Sequence, residues 1–266
     1  MKNKRVFLSA FLALILPVLI ITAWILLTET GHVPTLILPK ITDVIHEIWY
    51  QLTAGTLKGD IAVSLGRILK GYFLAVIVGG GLGVIMGMSR KMDQLFSFTF
   101  NVIRQVPMMA WVPLLVIWFG IGEKSKVAVI FLAAYFPILM NTMSGIRRTD
   151  PRLLEVGRMY RLSKWRMFRK IYLPSALPSV FVGLKLALGI SWMAVVGAEM
   201  IAASSGIGFR INDARSLMQY PVVFCSMFAI AAVGVLMDLI ITAISRLATP
   251  WERGTAVRSV GKRKTK

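Results

Sequence analysis

Asp150-Pro151-Arg152-Leu153-Leu154-Glu155-Val156-Gly157-Arg158-Met159-Tyr160-Arg161-Leu162-Ser163-Lys164-Trp165-Arg166-Met167-Phe168-Arg169-Lys170-Ile171-Tyr172-Leu173-Pro174 is a basic, amphipathic stretch set between long apolar runs. Asp150 suits the cap of a helix and Pro151 its first turn, so a helix is predicted through Leu153, Leu154, Val156, Gly157 and Tyr160. Ser163 suits the cap of a second short helix, Lys164 to Tyr172, which Leu173-Pro174 is expected to end because proline cannot continue a helix. The pattern is helix, turn, helix, with apolar residues on one side and Arg and Lys on the other. Taken alone, such a hairpin suits either an anionic lipid surface or a protein docking face.

Outward from this stretch the chain is strongly apolar. Of its 266 residues, 56% are hydrophobic and 16% charged, and the mean hydropathy is +0.71. Soluble domains carry about 25% charged residues, so the bilayer is the expected solvent. The net charge of +19 is explained by Lys- and Arg-rich cytoplasmic loops, without nucleic acid. Cys225 is the only cysteine, so no intrachain disulfide forms. His32 and His46 stand apart from other soft ligands, and no metal site is expected.

Apolar runs predict six spans, near Val6–Leu27, Leu65–Met88, Phe98–Gly120, Val127–Ile146, Ser179–Met200 and Val222–Leu247, each close to the roughly 20 residues that cross a bilayer. The first is read as a retained helix, since its run is long and no small-x-small cleavage site closes it. Residues 1–5 form a short tail, 6–247 the membrane domain with its loop at 147–178, and 248–266 a basic tail. With the N terminus inside, 22 of the 31 basic residues fall on inner segments and 8 outside. That places both termini and the central loop in the cytoplasm. Gly79, Gly83 and Gly87 share one face of the second span and predict close helix packing.

The decisive stretch resembles the EAA loop of bacterial ABC-importer permeases: Glu-Ala-Ala, three residues, Gly, nine residues, Ile-x-Leu-Pro. Glu155, Ile171, Leu173 and Pro174 fall in register. Val156 and Gly157 replace the two Ala, and Arg161 replaces the Gly. The resemblance extends from Ile37 to about Leu247 and is to the sulfonate, taurine and nitrate group, most of all to aliphatic sulfonate permeases. It is carried by Ser64-Leu65-Gly66-Arg67, Arg104-Gln105-Val106-Pro107, Pro113-Leu114, Trp118-Phe119-Gly120-Ile121-Gly122-Glu123, Leu177-Pro178-Ser179, Gly183-Leu184-Lys185, Ala198-Glu199-Met200 and Gly206-Ile207-Gly208.

The resemblance implies an all-α, six-helix type I importer permease in the bacterial cytoplasmic membrane. It also implies two permease copies, two ATPase subunits that hold ATP and Mg, and an extracytoplasmic solute-binding protein. Glu155, Gly157, Arg161, Leu162, Ser163, Ile171, Leu173 and Pro174 would form the ATPase-coupling surface. Arg161 is expected to keep negative φ, with the turn displaced to Leu162-Ser163, because a left-handed conformation costs a non-glycine residue about 1–2 kcal/mol.

The chain lacks G-x-x-x-x-G-K-[ST], so no phosphate cradle is expected in it, and no cofactor of its own. Gly120 to Ser125 has only a superficial likeness to one. Two histidines and one cysteine give no credible nucleophilic constellation, so no catalysis is expected. An ion-coupled secondary transporter would leave the basic loop unexplained and would be expected to show an internal repeat, which is not evident. A membrane scaffold would not need Arg104 or Lys185.

Polar groups within the spans are costly and therefore informative. Arg104, about two turns inside the third span, and Lys185, about two turns into the fifth, either snorkel to the surface or line an anion path. Asn141 lies late in the fourth span. Glu199, near the outer end of the fifth, either pairs within the bundle or lines the path. Trp111, Trp118 and Trp192 read as packing or interfacial anchors. The expected solute is a small organic sulfonate, with nitrate, taurine or a thiamine-precursor pyrimidine as the alternatives.

Overall fold

The computed structural model describes residues 2–31 and 33–252, with residues 2–11, 13 and 252 through their backbone alone. His32 and the basic tail from 253 onward lie outside the described residues. All regular structure among the described residues is helical. In chain order the helices are α1 Lys2–Glu29, α2 Ile41–Thr53, α3 Thr56–Met88, α4 Arg90–Ile103, α5 Met108–Phe119, α6 Glu123–Arg147, α7 Pro151–Met159, α8 Lys164–Met167, α9 Leu173–Ala202, α10 Ile207–Ser216 and α11 Tyr220–Ala248. A π-helical turn, Phe168–Tyr172, joins α8 to α9.

Four described helical stretches are long and apolar enough to cross a bilayer: α3, α6, the run Lys164–Ala202, and α11. The pair α4 and α5 makes a fifth if counted as one bent span. The first expected span falls in α1, whose described apolar part is Leu14–Glu29. Leu236, Leu239, Ile240 and Leu247 on α11 are exposed, as are Leu14, Leu16, Val18 and Leu19 on α1. Such a surface is stable facing hydrocarbon and not facing water.

The third expected span, Phe98–Gly120, is not one helix. It breaks at 104–107, and α4 and α5 meet at 96°. The cause is local. Pro107 has no N–H to donate and disfavours helical angles at Val106. The last turn of α4 tightens instead, with Gln105 N donating to Val102 O at 3.1 Å and Val106 N to Ile103 O at 3.2 Å. Arg104 therefore closes α4 as its C-cap and sits at the bend between α4 and α5, not within a continuous helix.

α6 lies at the centre, between α3 and α9. A Cβ added at Gly79 would fall 2.9 Å from Tyr135 O, at Gly83 2.8 Å from Leu139 O, and at Gly87 2.7 Å from Ile146 Cβ. Gly71 continues the seam, 2.7 Å from Ile130 Cβ. On the opposite side of α6, Gly145 lies against Ala176 and Ser179, and Gly183 against Asn141 and Pro137. Bare backbone at these points lets three helices approach closely. Ile68, Ala75, Met86, Ile130, Ala134, Ile138, Leu139, Ala187 and Val195 fill the core between them. Tyr72 Oη donates to Leu184 O at 3.0 Å. Trp192 is buried and donates to Ile230 O at 3.0 Å, tying α9 to α11.

Candidate functional site

The hairpin between α6 and α9 is built by its caps. Asp150 accepts from Arg152 N at 2.9 Å and Pro151 opens α7. Ser163 accepts from Arg166 N at 3.4 Å at the start of α8. Between them Arg161 has φ +49°, which corrects the expectation of negative φ and a displaced turn. Arg161 N donates to Arg158 O at 2.9 Å and Leu162 N to Gly157 O at 3.0 Å. This pair of bonds is the Schellman closure of a helix C-terminus, which requires a left-handed residue at that point. Two satisfied carbonyls offset the local strain, and the chain makes the turn without a glycine. Met218, after α10, has φ +57° in the same pattern, with Gln219 N on Ala214 O at 2.8 Å.

Gly157 is buried, and a Cβ there would lie 2.6 Å from Met167 Sδ and 2.7 Å from Ile171 Cδ1. It is the point where α7 packs on the return limb. Leu173-Pro174 does not end that limb, contrary to expectation. The helix runs on into α9, because the π turn widens the ring around the missing Pro174 N–H. Leu173 N reaches back to Phe168 O. A π turn lets one residue be absorbed without a break. The hairpin is thus continuous with a membrane helix.

The outer face of the hairpin is uncovered. Met159 is 82% exposed, Tyr160 78% and Trp165 66%, with Leu153 and Val156 beside them. Glu155 is exposed amid Arg152, Arg158 and Arg161, and makes no ion pair among the described residues. Trp165, Arg166, Arg169 and Lys170 line a shallow depression. A surface mixing large apolar groups and cations fits a protein partner.

At the opposite end of α9, Glu199 is buried, its carboxylate held by three donors. Ser64 Oγ donates at 2.8 Å, Arg67 Nη1 at 2.7 Å and Gly208 N at 3.0 Å. Arg67 also binds Glu123, with Nη2 at 2.6 Å and Nε at 2.9 Å, and Ser205 O at 2.8 Å. Asp60 pairs with Arg210 and accepts from Gly206 N at 3.0 Å. Ser64 also accepts from Ile207 N at 3.1 Å. Four helices and the 203–206 loop are thereby fastened together. No role had been read for Ser64, Arg67, Asp60 or Arg210. A carboxylate in an apolar helix demands a cation, and that signal leads to Arg67.

Lys185 is not a free cation. Its Nζ lies 3.0 Å from Asp238 Oδ1 and 3.0 Å from Thr242 Oγ1 on α11, on a half-exposed face. Asn141 Nδ2 donates to Pro137 O at 2.8 Å, within α6. Arg104 is exposed at the break between α4 and α5, and its guanidinium has no partner among the described residues. It opens on a cavity of about 250 Å3 whose lining includes Trp111, Phe136 and Pro137. The four polar span residues therefore do not form one site. Arg104 and the carbonyl-bearing Pro137 share a cavity, with Asn141 one turn away, while Lys185 and Glu199 are each paired elsewhere.

A helical bundle with an apolar exterior, a broken span and an exposed basic hairpin is that of a polytopic membrane protein. The chain belongs to the family of binding-protein-dependent transport system inner membrane components, whose model matches residues 61–253. It is 38% identical over 236 residues to the putative aliphatic sulfonates transport permease protein SsuC of Escherichia coli (strain K12), covering 89% of this chain and 90% of that one. It is 34% identical over 238 residues to the putative protein of the same name from Bacillus subtilis (strain 168), covering 90% and 86%. Its fold matches a chain of the inward-facing MetNI methionine ABC transporter with TM-score 0.67 at 17% identity, over 75% of this chain and 99% of that one.

Proposed function

We propose that this chain is the permease subunit of an ATP-driven importer that carries a small organic anion, of the aliphatic sulfonate kind, across the cytoplasmic membrane. Two copies frame the pathway, two ATPase subunits hold ATP and Mg on the cytoplasmic side, and an extracytoplasmic binding protein delivers the solute. The N terminus, the C terminus and residues 147–178 face the cytoplasm. The observation that carries this reading is the uncovered face of the hairpin, where Met159 and Tyr160 are 82% and 78% exposed beside an unpaired Glu155. Closure of the ATPases on ATP draws the two hairpins together. The unbroken run Lys164–Ala202 carries that displacement through the membrane to Glu199 and, through Arg67, to α3. The sulfonate class is supported by the two relatives above.

The test is Glu155→Lys in the assembled complex. Reversing this charge sets like charges together at the interface, which costs several kcal/mol, so ATPase co-purification and uptake should each fall at least about 10-fold. Membrane insertion should stay at the parent level. Co-purification and uptake both equal to the parent reject the assignment of the hairpin.

A further inference from the structure

The break at 104–107 lies against the middle turns of α6 and α9, since Leu132, Phe136, Pro137 and Ile190 wall its cavity. Non-helical backbone at that depth is tolerated only where protein covers it or water reaches it. Here the cavity is open and holds one ionic group, Arg104. An unpaired guanidinium beside the middle turns of two apolar helices is costly unless a ligand or water meets it. Lys185 offers a contrast, because Asp238 already neutralises it at 3.0 Å.

We infer that this cavity is a solute subsite in the permease itself, for an organic anion with a short apolar body. Arg104 takes the anionic head group, with its planar fork of donors matched to two oxygens of a sulfonate or carboxylate. Trp111, Phe136, Leu132 and Ile190 take the hydrocarbon part. An inorganic anion such as nitrate meets the same cation but leaves the apolar wall wet, so it is the poorer occupant. The volume, about 250 Å3, holds a solute smaller than the usual drug-sized ligand. This deepens the proposed function and rests on its reading of the chain as an organic-anion permease. It adds that selection occurs in the membrane, after the binding protein has released its cargo.

The experiment uses the complete complex in proteoliposomes, with uptake of labelled ethanesulfonate, hexanesulfonate and nitrate measured beside ATP hydrolysis. In Arg104→Gln, sulfonate uptake should fall at least about 10-fold, the worth of one charge-assisted bond. Hydrolysis stimulated by the binding protein should persist. Arg104→Lys should recover part of uptake and stay below the parent, because it restores the charge without the fork. Trp111→Ala should reduce hexanesulfonate uptake more than ethanesulfonate uptake. Equal uptake by Arg104→Gln and parent overturns the subsite and leaves the permease reading intact, as does an equal loss in the Gln and Lys variants. A parent complex that hydrolyses ATP and moves nitrate but no sulfonate overturns the organic-anion reading and this inference with it.

Discussion

Arg67 on α3 and Glu199 on α9 meet at 2.7 Å with side chains 2% and 0% exposed. Residues 132 positions apart in the chain thus form a charge pair sealed from both water and lipid. Glu123 on α6 shares the same guanidinium, so one arginine clamps the three helices that form the centre of the bundle.

Arg67→Ala should be the most damaging single change in this network. It leaves Glu199 buried with only Ser64 and Gly208 N as donors, and breaking a buried pair from one side costs about 3–5 kcal/mol. Thermal unfolding of the purified complex should show a large fall in Tm. Glu199→Gln keeps the volume and two of the hydrogen-bonding possibilities, and should lower Tm by less. Equal melting of Arg67→Ala and parent would remove the clamp from the account.

The glycine seam predicts a position-specific cost. Gly83→Ala places a methyl 2.8 Å from Leu139 O and from Thr142 Cβ. Backbone cannot step aside, so overpacking of about 1–3 kcal/mol follows. Gly81→Ala meets nothing within 4 Å and should be neutral or slightly stabilising, since alanine favours the helix by about 1 kcal/mol over glycine. Unfolding of the two variants side by side checks this, and identical behaviour would contradict it.

Arg161→Gly should stabilise the hairpin, by up to about 1 kcal/mol, because φ +49° is strained for arginine and not for glycine. Arg161→Pro should disrupt it, since proline fixes φ near −65° and removes the N–H that reaches Arg158 O. Amide exchange at Leu162 reports both effects: slower in the first variant, faster in the second.

Lys185 and Asp238 should behave as one unit. Lys185→Ala strands a carboxylate in a membrane-facing helix and Asp238→Ala strands an ammonium, so each single change should destabilise the complex. The double variant should recover most of the loss, giving a coupling well outside simple additivity. Additive effects would mean the ion pair contributes nothing there.

Much of this architecture was legible in the sequence, for identifiable reasons. The hairpin was readable because Asp150, Pro151 and Ser163 signal helix starts through chemistry that acts over three residues. The spans of α3, α6, α9 and α11 were readable because hydrocarbon demands long apolar runs. The broken third span was hidden because apolarity continues through Val106, Pro107 and Met108 whether or not the helix does. Arg161 misled because the cost of a left-handed arginine is visible locally, whereas the two capping bonds that offset it appear only once α7 has formed. Leu173-Pro174 misled similarly, since the π turn that accommodates the proline leaves no mark in composition. The partners of Glu199 were invisible because they come from α3 and α10. The pairing of Lys185 with Asp238, 53 residues away, was hidden for the same reason.

The seam along α3 works like a rack and its pinion teeth. Ile130 sits at Gly71, Tyr135 at Gly79, Thr142 at Gly83 and Ile146 at Gly87, and each bulky group is lodged in its own notch. α3 cannot be dragged lengthwise past α6 without lifting all four groups out at once. These two helices therefore travel as a single rigid plank. Any rearrangement that opens one side of the membrane and shuts the other must be taken up at the joints around that plank: Ser89 between α3 and α4, the bend at 104–107, and the turn at Arg148-Thr149 that leads into the hairpin.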